Sequence, residues 1–266
     1  MKKLIFLLFF LTLYVGGKAS IIDTLSIKTK FLATPENVVV ISPDVSKEKS
    51  CPAVYLLNGH NGNHLSWLNI RKNLPRLADD YGFIIVMPDG KNSWYWDSPV
   101  DSAMQMESFI TKELVPMIDS TYNTIPQAEK RAISGLSMGG HGAMWLAFRH
   151  PELWKNVGSM SGGLDIRPFP DNWNMKDRLG NKNENEELWE NHTVINLVPD
   201  VHKDYYNIIF DCGTEDFFFE VNNNVHDALL DRNIKHDYIT RPGGHTGDYW
   251  ANSVLYHLLF FSENFK

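Results

Sequence analysis

The chain has 266 residues, of which 43% are hydrophobic and 21% are charged, and this composition excludes a disordered protein, a collagen-like repeat and a disulfide-stapled miniprotein. A chain of this length can bury a sizeable core in one large domain or in two small ones. The formal net charge of −7 disfavours a nucleic-acid partner, because a phosphate backbone is bound by a basic surface.

The N-terminal segment has the pattern of a secretory signal peptide. Two lysines follow Met1, residues 4–15 are apolar, and Gly17 and Ala19 place small residues at the cleavage-determining positions. We expect residues 1–20 to be removed and the chain to be secreted or periplasmic, with a net charge of −10 once three lysines are lost. Stable membrane insertion is not expected, because the apolar run is shorter than a transmembrane helix requires. The alternative is an uncleaved anchor in the membrane interface.

Export would permit a disulfide between the two cysteines of the chain. Cys51 begins one apolar run and Cys212 ends another. In a parallel sheet the two side chains would therefore lie at opposite edges, far beyond the reach of a disulfide. We expect two buried free thiols.

The first predicted elements are two strands, over residues 24–31 and 37–42, that form an antiparallel hairpin. Short apolar runs then alternate with longer segments of helical periodicity, which is typical of a mostly parallel sheet with helices on both faces. Further strands are predicted over residues 53–57, 83–87, 131–137, 157–160, 208–210 and 236–240. Helices are predicted over residues 67–80, 103–122, 139–149, 217–231 and 248–261. This pattern predicts one α/β domain over residues 21–266.

Residues 163–200 interrupt the alternation. The segment is rich in Asn, Asp and Glu, and it is longer than the usual connection between two elements of a compact domain. Trp173, Met175 and Leu179 are among the apolar residues that could anchor it. We therefore expect an ordered cap-like insertion over one end of the sheet, with one or two short helices. The alternative is a disordered surface loop.

The sequence Gly135-Leu136-Ser137-Met138-Gly139 lies between a predicted strand and a predicted helix. This is the context that a G-x-S-x-G nucleophile elbow requires, because the sharp turn leaves room only for glycine on either side of the serine. A serine hydroxyl is a weak nucleophile. It needs a histidine base that an acidic side chain holds in one tautomer.

The base and the acid are expected downstream, in the chain order serine, acid, histidine. His245 combines that order with a glycine-flanked loop after the last predicted strand, so we expect it to be the base. The expected acid is Asp216, with Glu215 as the reserve, because both follow the strand before it. Both segments end at the carboxyl edge of the sheet, where ligands bind in open α/β folds.

Two backbone N–H groups are expected to hold the oxyanion that forms during ester cleavage. Met138 supplies the first because it follows the serine. We expect the second from His60, in the glycine-containing turn after the strand over residues 53–57. We expect its imidazole to face solvent.

These motifs resemble the esterase D-like branch of the α/β-hydrolases, which includes S-formylglutathione hydrolases, tributyrin esterases, mycolyltransferases, and feruloyl and acetyl-xylan esterases. The matching segments are residues 55–59 with Trp67, residues 135–140, residues 212–216, and residues 243–245 with Trp250. The resemblance implies an α/β-hydrolase fold, a triad of Ser137, Asp216 and His245, and an oxyanion hole from the main chains of Met138 and His60. The chain departs from the pattern at Asn58, where many members carry His or Asp.

Trp94, Tyr95 and Trp96 form an aromatic cluster after the predicted strand over residues 83–87. We expect these rings to contact the substrate by stacking on a sugar or feruloyl ring. The alternative is that they pack the insertion. Glu107 starts a predicted helix, where it either supports the site indirectly or favours the helix dipole, and we assign it no role.

The sequence therefore predicts a secreted serine carboxylic-ester hydrolase that removes acetyl or feruloyl-type groups from carbohydrate. Its substrate would be a small or oligosaccharide ester. No metal or organic cofactor is expected, because no His or Cys cluster has ligand spacing. The alternatives are an acyltransferase, a thioesterase like S-formylglutathione hydrolase, and a non-catalytic carbohydrate-binding protein. The sequence does not indicate an oligomeric state.

Overall fold

Eight strands form one sheet in the computed structural model, which describes residues 19–266. The signal-peptide prediction falls almost entirely outside the described residues. The strands are β1 (Ile21–Ile27), β2 (Glu36–Ser42), β3 (Ala53–Leu57), β4 (Ile84–Pro88), β5 (Arg131–Gly135), β6 (Asn156–Met160), β7 (Asn207–Gly213) and β8 (Asp237–Arg241). Their spatial order is β1-β2-β4-β3-β5-β6-β7-β8.

The sheet is antiparallel at one edge and parallel elsewhere. β1 pairs with β2 and β2 pairs with β4 in antiparallel register, whereas all other neighbours are parallel. The predicted α/β fold and its entry hairpin are thus confirmed. The first strand ends at Ile27 rather than at residue 31, because the following residues turn, with Phe31 N–H donating to Thr29 Oγ1 at 3.1 Å.

The helices cover both faces of the sheet. They are α1 (Ser66–Ile70), α2 (Leu74–Tyr81), α3 (Met106–Phe109), α4 (Val115–Thr121), α5 (Met138–Arg149), α6 (Lys176–Leu179), α7 (Glu186–Asn191), α8 (Phe219–Asp231) and α9 (Gly247–Asn264). A π-helical turn, Ile110–Leu114, joins α3 to α4 without a break. That turn precedes Pro116, whose missing N–H interrupts the α-helical ladder.

The helix predicted over residues 67–80 is in fact two helices. α1 ends at Ile70, and Arg71 adopts ψ 82°, outside the helical region. Pro75 then lies in the first turn of α2, where its missing N–H costs nothing. In one continuous helix the proline ring would collide with the carbonyl of Arg71. The proline therefore explains the break.

Successive residues of each central strand point into opposite layers of the core. In β3, Ala53, Tyr55 and Leu57 pack beneath α3, α4, α5 and α8, whereas Val54 and Leu56 pack beneath α1, α2 and α9. All five side chains are fully buried. This double burial is the reason why the central strands lack polar alternation.

The insertion over residues 163–200 contains α6, α7 and a 3-10 helix, Val194–Asp200. The expected short helices are therefore present. Met175, Leu179 and Trp189 are buried and belong to the core layer that contains α5 and α8. Arg167 ties the segment together through ion pairs of 2.7 Å with Asp165 and Glu190.

Cys51 precedes β3, whereas Cys212 lies near the carboxyl end of β7. Both are buried free thiols, as predicted, and burial raises the pKa of each thiol.

Within residues 19–266, no helix is long and apolar enough to cross a bilayer.

A buried polar network joins three elements of the core. His257 of α9 contacts Asp211 of β7 through Nε2 at 2.9 Å and Ser134 of β5 through Nδ1 at 2.9 Å. Ser253 Oγ donates to Asp211 at 2.7 Å. A Cβ on Gly158 of β6 would lie 2.4 Å from His257 Nδ1. A glycine at that position therefore leaves the space that the imidazole fills.

Replacing His257 should destabilise the fold, because the buried carboxylate of Asp211 then loses a hydrogen-bond partner. We expect His257→Leu to lower the free energy of unfolding by about 2–4 kcal/mol in urea titrations. Leu230→Ala, at a position that is 54% exposed, is the control and should change it by less than about 0.5 kcal/mol. Equal stability of the two variants would contradict the structural role of the network.

Candidate active site

Ser137 lies at a sharp turn between β5 and α5. Its backbone has φ 55° and ψ −119°, a conformation that is unfavourable for any residue except glycine. A Cβ on Gly135 would lie 2.4 Å from the carbonyl oxygen of Gly139, and a Cβ on Gly139 would lie 2.5 Å from that of Leu57. The turn is thus possible only with glycine at both positions. Its Ser137 N–H donates to the Met160 carbonyl at 2.9 Å.

The structure brings together the serine, histidine and aspartate that the sequence singled out. Ser137 Oγ lies 2.8 Å from His245 Nε2, and His245 Nδ1 lies 2.8 Å from Asp216 Oδ2. Asp216 is buried, and its Oδ1 accepts the N–H of Phe218 at 2.9 Å. With Nδ1–H donating to the carboxylate, Nε2 is free to accept the serine proton. Glu215, the reserve acid, is exposed.

Aromatic rings surround the imidazole of His245. The ring centroid of Phe217 lies 4.3 Å away, and that of Trp250 lies 4.8 Å away at an interplanar angle of 89°. Phe218 contacts the same imidazole at 5.5 Å. These contacts restrict the orientation of the histidine from several sides.

Of the two predicted oxyanion donors, His60 borders the same pocket as Ser137, and Met138 directly follows the serine. Met138 is the first residue of α5, and the first N–H groups of a helix have no acceptor within it. The helix dipole adds partial positive charge at that end. His60 lines the pocket beside Ser137, in the turn that follows β3.

Asn58 holds the turn that carries His60. Its side-chain amide donates to the Gly59 carbonyl at 2.9 Å, and its Oδ1 accepts the N–H of Gly90 at 2.8 Å. The hydroxyl of Tyr95 donates to the Asn58 carbonyl at 3.1 Å. The residue at which the chain departs from the family pattern is therefore a buried structural link.

The imidazole of His60 is partly exposed and also has a partner in the insertion. The side chain is half-buried, and its Nε2 lies 2.9 Å from Asn174 Oδ1. This contact links the turn after β3 to the insertion. A loop histidine gives no sequence signal for such a partner, because Asn174 belongs to a distant segment of the chain.

The pocket beside Ser137 has a volume of about 270 Å³. Its remaining walls are mostly apolar or small and are formed by Gly59, Asn61, Gly62, Ser66, Ile70, Leu136, Trp173 and Trp250. The site therefore offers a nucleophile at the edge of a narrow, largely apolar cavity.

Trp94, Tyr95 and Trp96 are not available to a substrate, and their prediction as contact residues is wrong. At most 1% of each side chain is exposed. The indole N–H of Trp94 donates to the Trp173 carbonyl at 3.1 Å, and that of Trp96 donates to His141 at 3.0 Å. Trp94 and Trp96 also contact Trp173 and His192 of the insertion, as the alternative held, whereas the hydroxyl of Tyr95 bonds Asn58.

His141 is the buried centre of this aromatic cluster. Its Nδ1 donates to the Gly163 carbonyl at 2.9 Å, and its Nε2 accepts the indole N–H of Trp96. Burial lowers the pKa of the His141 imidazole to about 3. The ring is therefore neutral at ordinary pH and holds the start of the insertion against α5.

Glu107 lies in the interior under α5. It accepts hydrogen bonds from Trp145 Nε1 at 2.9 Å, Arg149 Nε at 2.9 Å and His150 Nε2 at 2.7 Å. Burial alone would raise the pKa of Glu107, but the contacts with His150 and Arg149 outweigh it and hold the pKa below its usual value. Glu107 thus anchors a buried polar cluster.

The position of Phe217 beside His245 was not predicted from the sequence. A signal was available in three consecutive phenylalanines, residues 217–219, directly after the predicted acid.

Among residues 19–266, no three His, Cys, Asp or Glu side chains are grouped so that they could hold a metal ion.

The buried His141 should make stability depend on pH. Its pKa is about 3 in the folded chain, against a usual value of 6.5, so the unfolded chain binds the proton first as the pH falls. The stability that the neutral His141 gives to the folded chain is present above pH 6.5 and is lost as the pH falls below that value. Between pH 7 and pH 5 we expect wild type to lose about 2 kcal/mol more of its free energy of unfolding than His141→Gln. Urea titrations at the two pH values measure the difference, and an identical loss would contradict the assignment.

Comparison with known proteins agrees with this geometry. The Esterase family model, described as "Putative esterase", matches residues 30–261. An acetyl esterase of Caldicellulosiruptor saccharolyticus is 26% identical over 224 residues, which cover 79% of this chain and 83% of that protein. An S-formylglutathione hydrolase of Bos taurus is 24% identical over 217 residues, which cover 74% of this chain and 73% of that protein.

Two solved structures have the same fold. A ferulic acid esterase superposes with a TM-score of 0.80 at 26% identity, covering 93% of this chain and 99% of that chain. An S-formylglutathione hydrolase of Agrobacterium tumefaciens superposes with a TM-score of 0.82 at 21% identity, covering 94% of this chain and 97% of that chain. The chain belongs to the esterase family, whose members are carboxylic ester hydrolases with the α/β-hydrolase fold.

Proposed function

We propose that the chain cleaves carboxylic esters through an acyl-enzyme on Ser137. The observation that carries the proposal is the continuous contact from Ser137 Oγ to His245 and from His245 to buried Asp216, with both distances 2.8 Å. In the first step Oγ attacks the ester carbonyl while His245 Nε2 accepts the hydroxyl proton. Asp216 stabilises the imidazolium that forms.

The negative charge of the tetrahedral intermediate falls on the former carbonyl oxygen. The N–H groups of Met138 and His60 are the donors we assign to it. His245 then gives its proton to the leaving alcohol, which departs and leaves the acyl group on Ser137. A water molecule enters, loses a proton to His245 and attacks the acyl carbon, and the proton returns to Ser137 when the acid is released.

For the substrate, we propose acetyl or feruloyl-type esters of carbohydrate. Support comes from the names of the similar proteins, an acetyl esterase and a ferulic acid esterase. The signal-like pattern of residues 1–20 favours an exported enzyme, and acylated polysaccharide lies outside the cell.

Two alternatives use the same site. A sugar or another alcohol could replace water in the second step, which would make the chain an acyltransferase. A glutathione thioester could replace the ester, as the name of the bovine relative suggests. A non-catalytic carbohydrate-binding protein is disfavoured, because binding alone does not require a strained serine in contact with a histidine and a buried carboxylate.

Ser137→Ala should lower kcat/KM for p-nitrophenyl acetate by about 10⁴-fold or more, because no nucleophile remains. The matched control is Ser134→Ala, the same change at a fully buried serine that contacts His257 rather than His245. The control should keep activity of the same order as wild type. Activity that survives in Ser137→Ala would refute the assignment of the nucleophile.

Wild type, tested beside the same two variants on methyl ferulate, acetylated xylan and S-formylglutathione, identifies the preferred class of substrate. The proposal predicts that an ester of the first two classes is cleaved with the highest kcat/KM. A higher kcat/KM for S-formylglutathione would favour the thioesterase. Wild type that cleaves none of these compounds would favour the binding protein.

The proposed export predicts that the full chain loses its first residues in a host with a secretory pathway. N-terminal sequencing of the protein recovered from the periplasm or the medium should begin close to Ser20. A chain that retains Met1 and stays in the cytosol would contradict export without affecting the chemistry at Ser137.

A further inference from the structure

Two aromatic side chains form a surface beside the pocket, which we call the aromatic ledge: Trp173 of the insertion and Phe217 of the loop between β7 and α8. Their rings are nearly parallel, at 21°, with centroids 5.3 Å apart. Phe217 is 49% exposed, and Trp173 is half-buried and lines the pocket. The ledge is thus a partly exposed, stacked aromatic pair beside His245 and the pocket.

The backbone of Trp173 is held in an unfavourable conformation. Trp173 has φ 48° and Asn174 has φ 58°, in the left-handed region that bulky residues rarely adopt. The indole N–H of Trp94 donates to the Trp173 carbonyl at 3.1 Å, and His60 Nε2 donates to Asn174 Oδ1 at 2.9 Å. Strain that the surroundings fix in this way is concentrated at ligand sites.

The position of the ledge shows which half of an ester it would contact. During cleavage the leaving alcohol oxygen must lie at His245 Nε2 to receive its proton, whereas the carbonyl oxygen must lie at the Met138 and His60 N–H groups. Phe217 packs on the imidazole of His245 at 4.3 Å. The ledge therefore borders the alcohol half of the substrate rather than the acyl half.

We propose that the aromatic ledge is the binding subsite for the alcohol half of the substrate and that it receives the apolar face of a sugar ring. The inference rests on the proposed esterase function and names its alcohol. An exposed aromatic ring can bury the C–H face of a pyranose, and the exposed Asn61, which lines the pocket, offers its amide to a sugar hydroxyl.

The charge of the site argues against glutathione as the leaving group. Glutathione carries two carboxylates, which proteins commonly bind with Arg or Lys. The described residues that line the pocket include no Arg and no Lys. A neutral sugar fits these surroundings better than an anionic peptide.

The test compares two acetyl esters that give the same acetyl-enzyme and differ only in the alcohol: xylose tetraacetate and ethyl acetate. In Trp173→Ala and in Phe217→Ala, kcat/KM for the sugar ester should fall about tenfold, because one stacking face is lost. The kcat/KM for ethyl acetate should fall several-fold less, because ethanol is too small to use the ledge, whereas any disturbance of His245 lowers both rates alike. Trp173→Phe should restore most of the loss.

Leu230→Ala removes a similarly exposed apolar side chain far along α8 and should leave both rates unchanged. An equal fall for both esters would overturn the subsite, because the rings would then act by holding His245. Unchanged rates for both esters would overturn it as well.

Near-ultraviolet circular dichroism shows whether Trp173→Ala folds. If it does not, Phe217→Ala alone tests the proposal, because this side chain is half-exposed. Failure of the proposed function has a different signature. In that case wild type cleaves neither ester, or Ser137→Ala cleaves both, and the inference about the alcohol falls with it.

Discussion

The left-handed turn at Ser137 is the constraint on which the rest of the site depends. A serine at φ 55° and ψ −119° carries strain of about 1–3 kcal/mol, and the fully buried packing of β5 between β3 and β6 offsets that cost. The turn is possible because Gly135 and Gly139 leave no side chain in the space that backbone carbonyls occupy. Ser137 thereby places its hydroxyl at the edge of the sheet. It also directly precedes α5, whose first N–H belongs to Met138.

Accessibility separates two groups of serine, histidine and aspartate in this fold. Ser134, His257 and Asp211 make contacts of 2.9 Å, close to those between Ser137, His245 and Asp216. In both groups the serine lies in β5 or just after it, and the aspartate lies in β7 or just after it. The first group is fully buried, so no ester can reach it and its polar atoms join elements of the core. The second lies at the carboxyl edge, where parallel strands of an α/β sheet converge on a pocket.

The order of the elements and the residues at the elbow could be predicted because local chemistry determines them. Apolar runs without alternation mark β3 to β7, and the spacing of Gly135, Ser137 and Gly139 is required by one turn geometry. The break before Pro75 was missed because helical periodicity continues on both sides of it. The assignment of Trp94 to Trp96 as substrate contacts failed for a different reason: residue type does not reveal exposure, and these rings are enclosed by segments distant in sequence. The aromatic ledge could not be predicted either, because only tertiary structure brings Trp173 to Phe217.

Direct capture of the acyl-enzyme tests the central claim, that Ser137 carries the acyl group during turnover. The protein is mixed with p-nitrophenyl acetate, quenched in acid within the first turnover, digested, and analysed by mass spectrometry. We expect one acetyl group on the peptide that contains Ser137, and less of it when hydroxylamine is added before digestion. An acetyl group on a different residue, or release of p-nitrophenol with no acylated serine in the quenched protein, would contradict it.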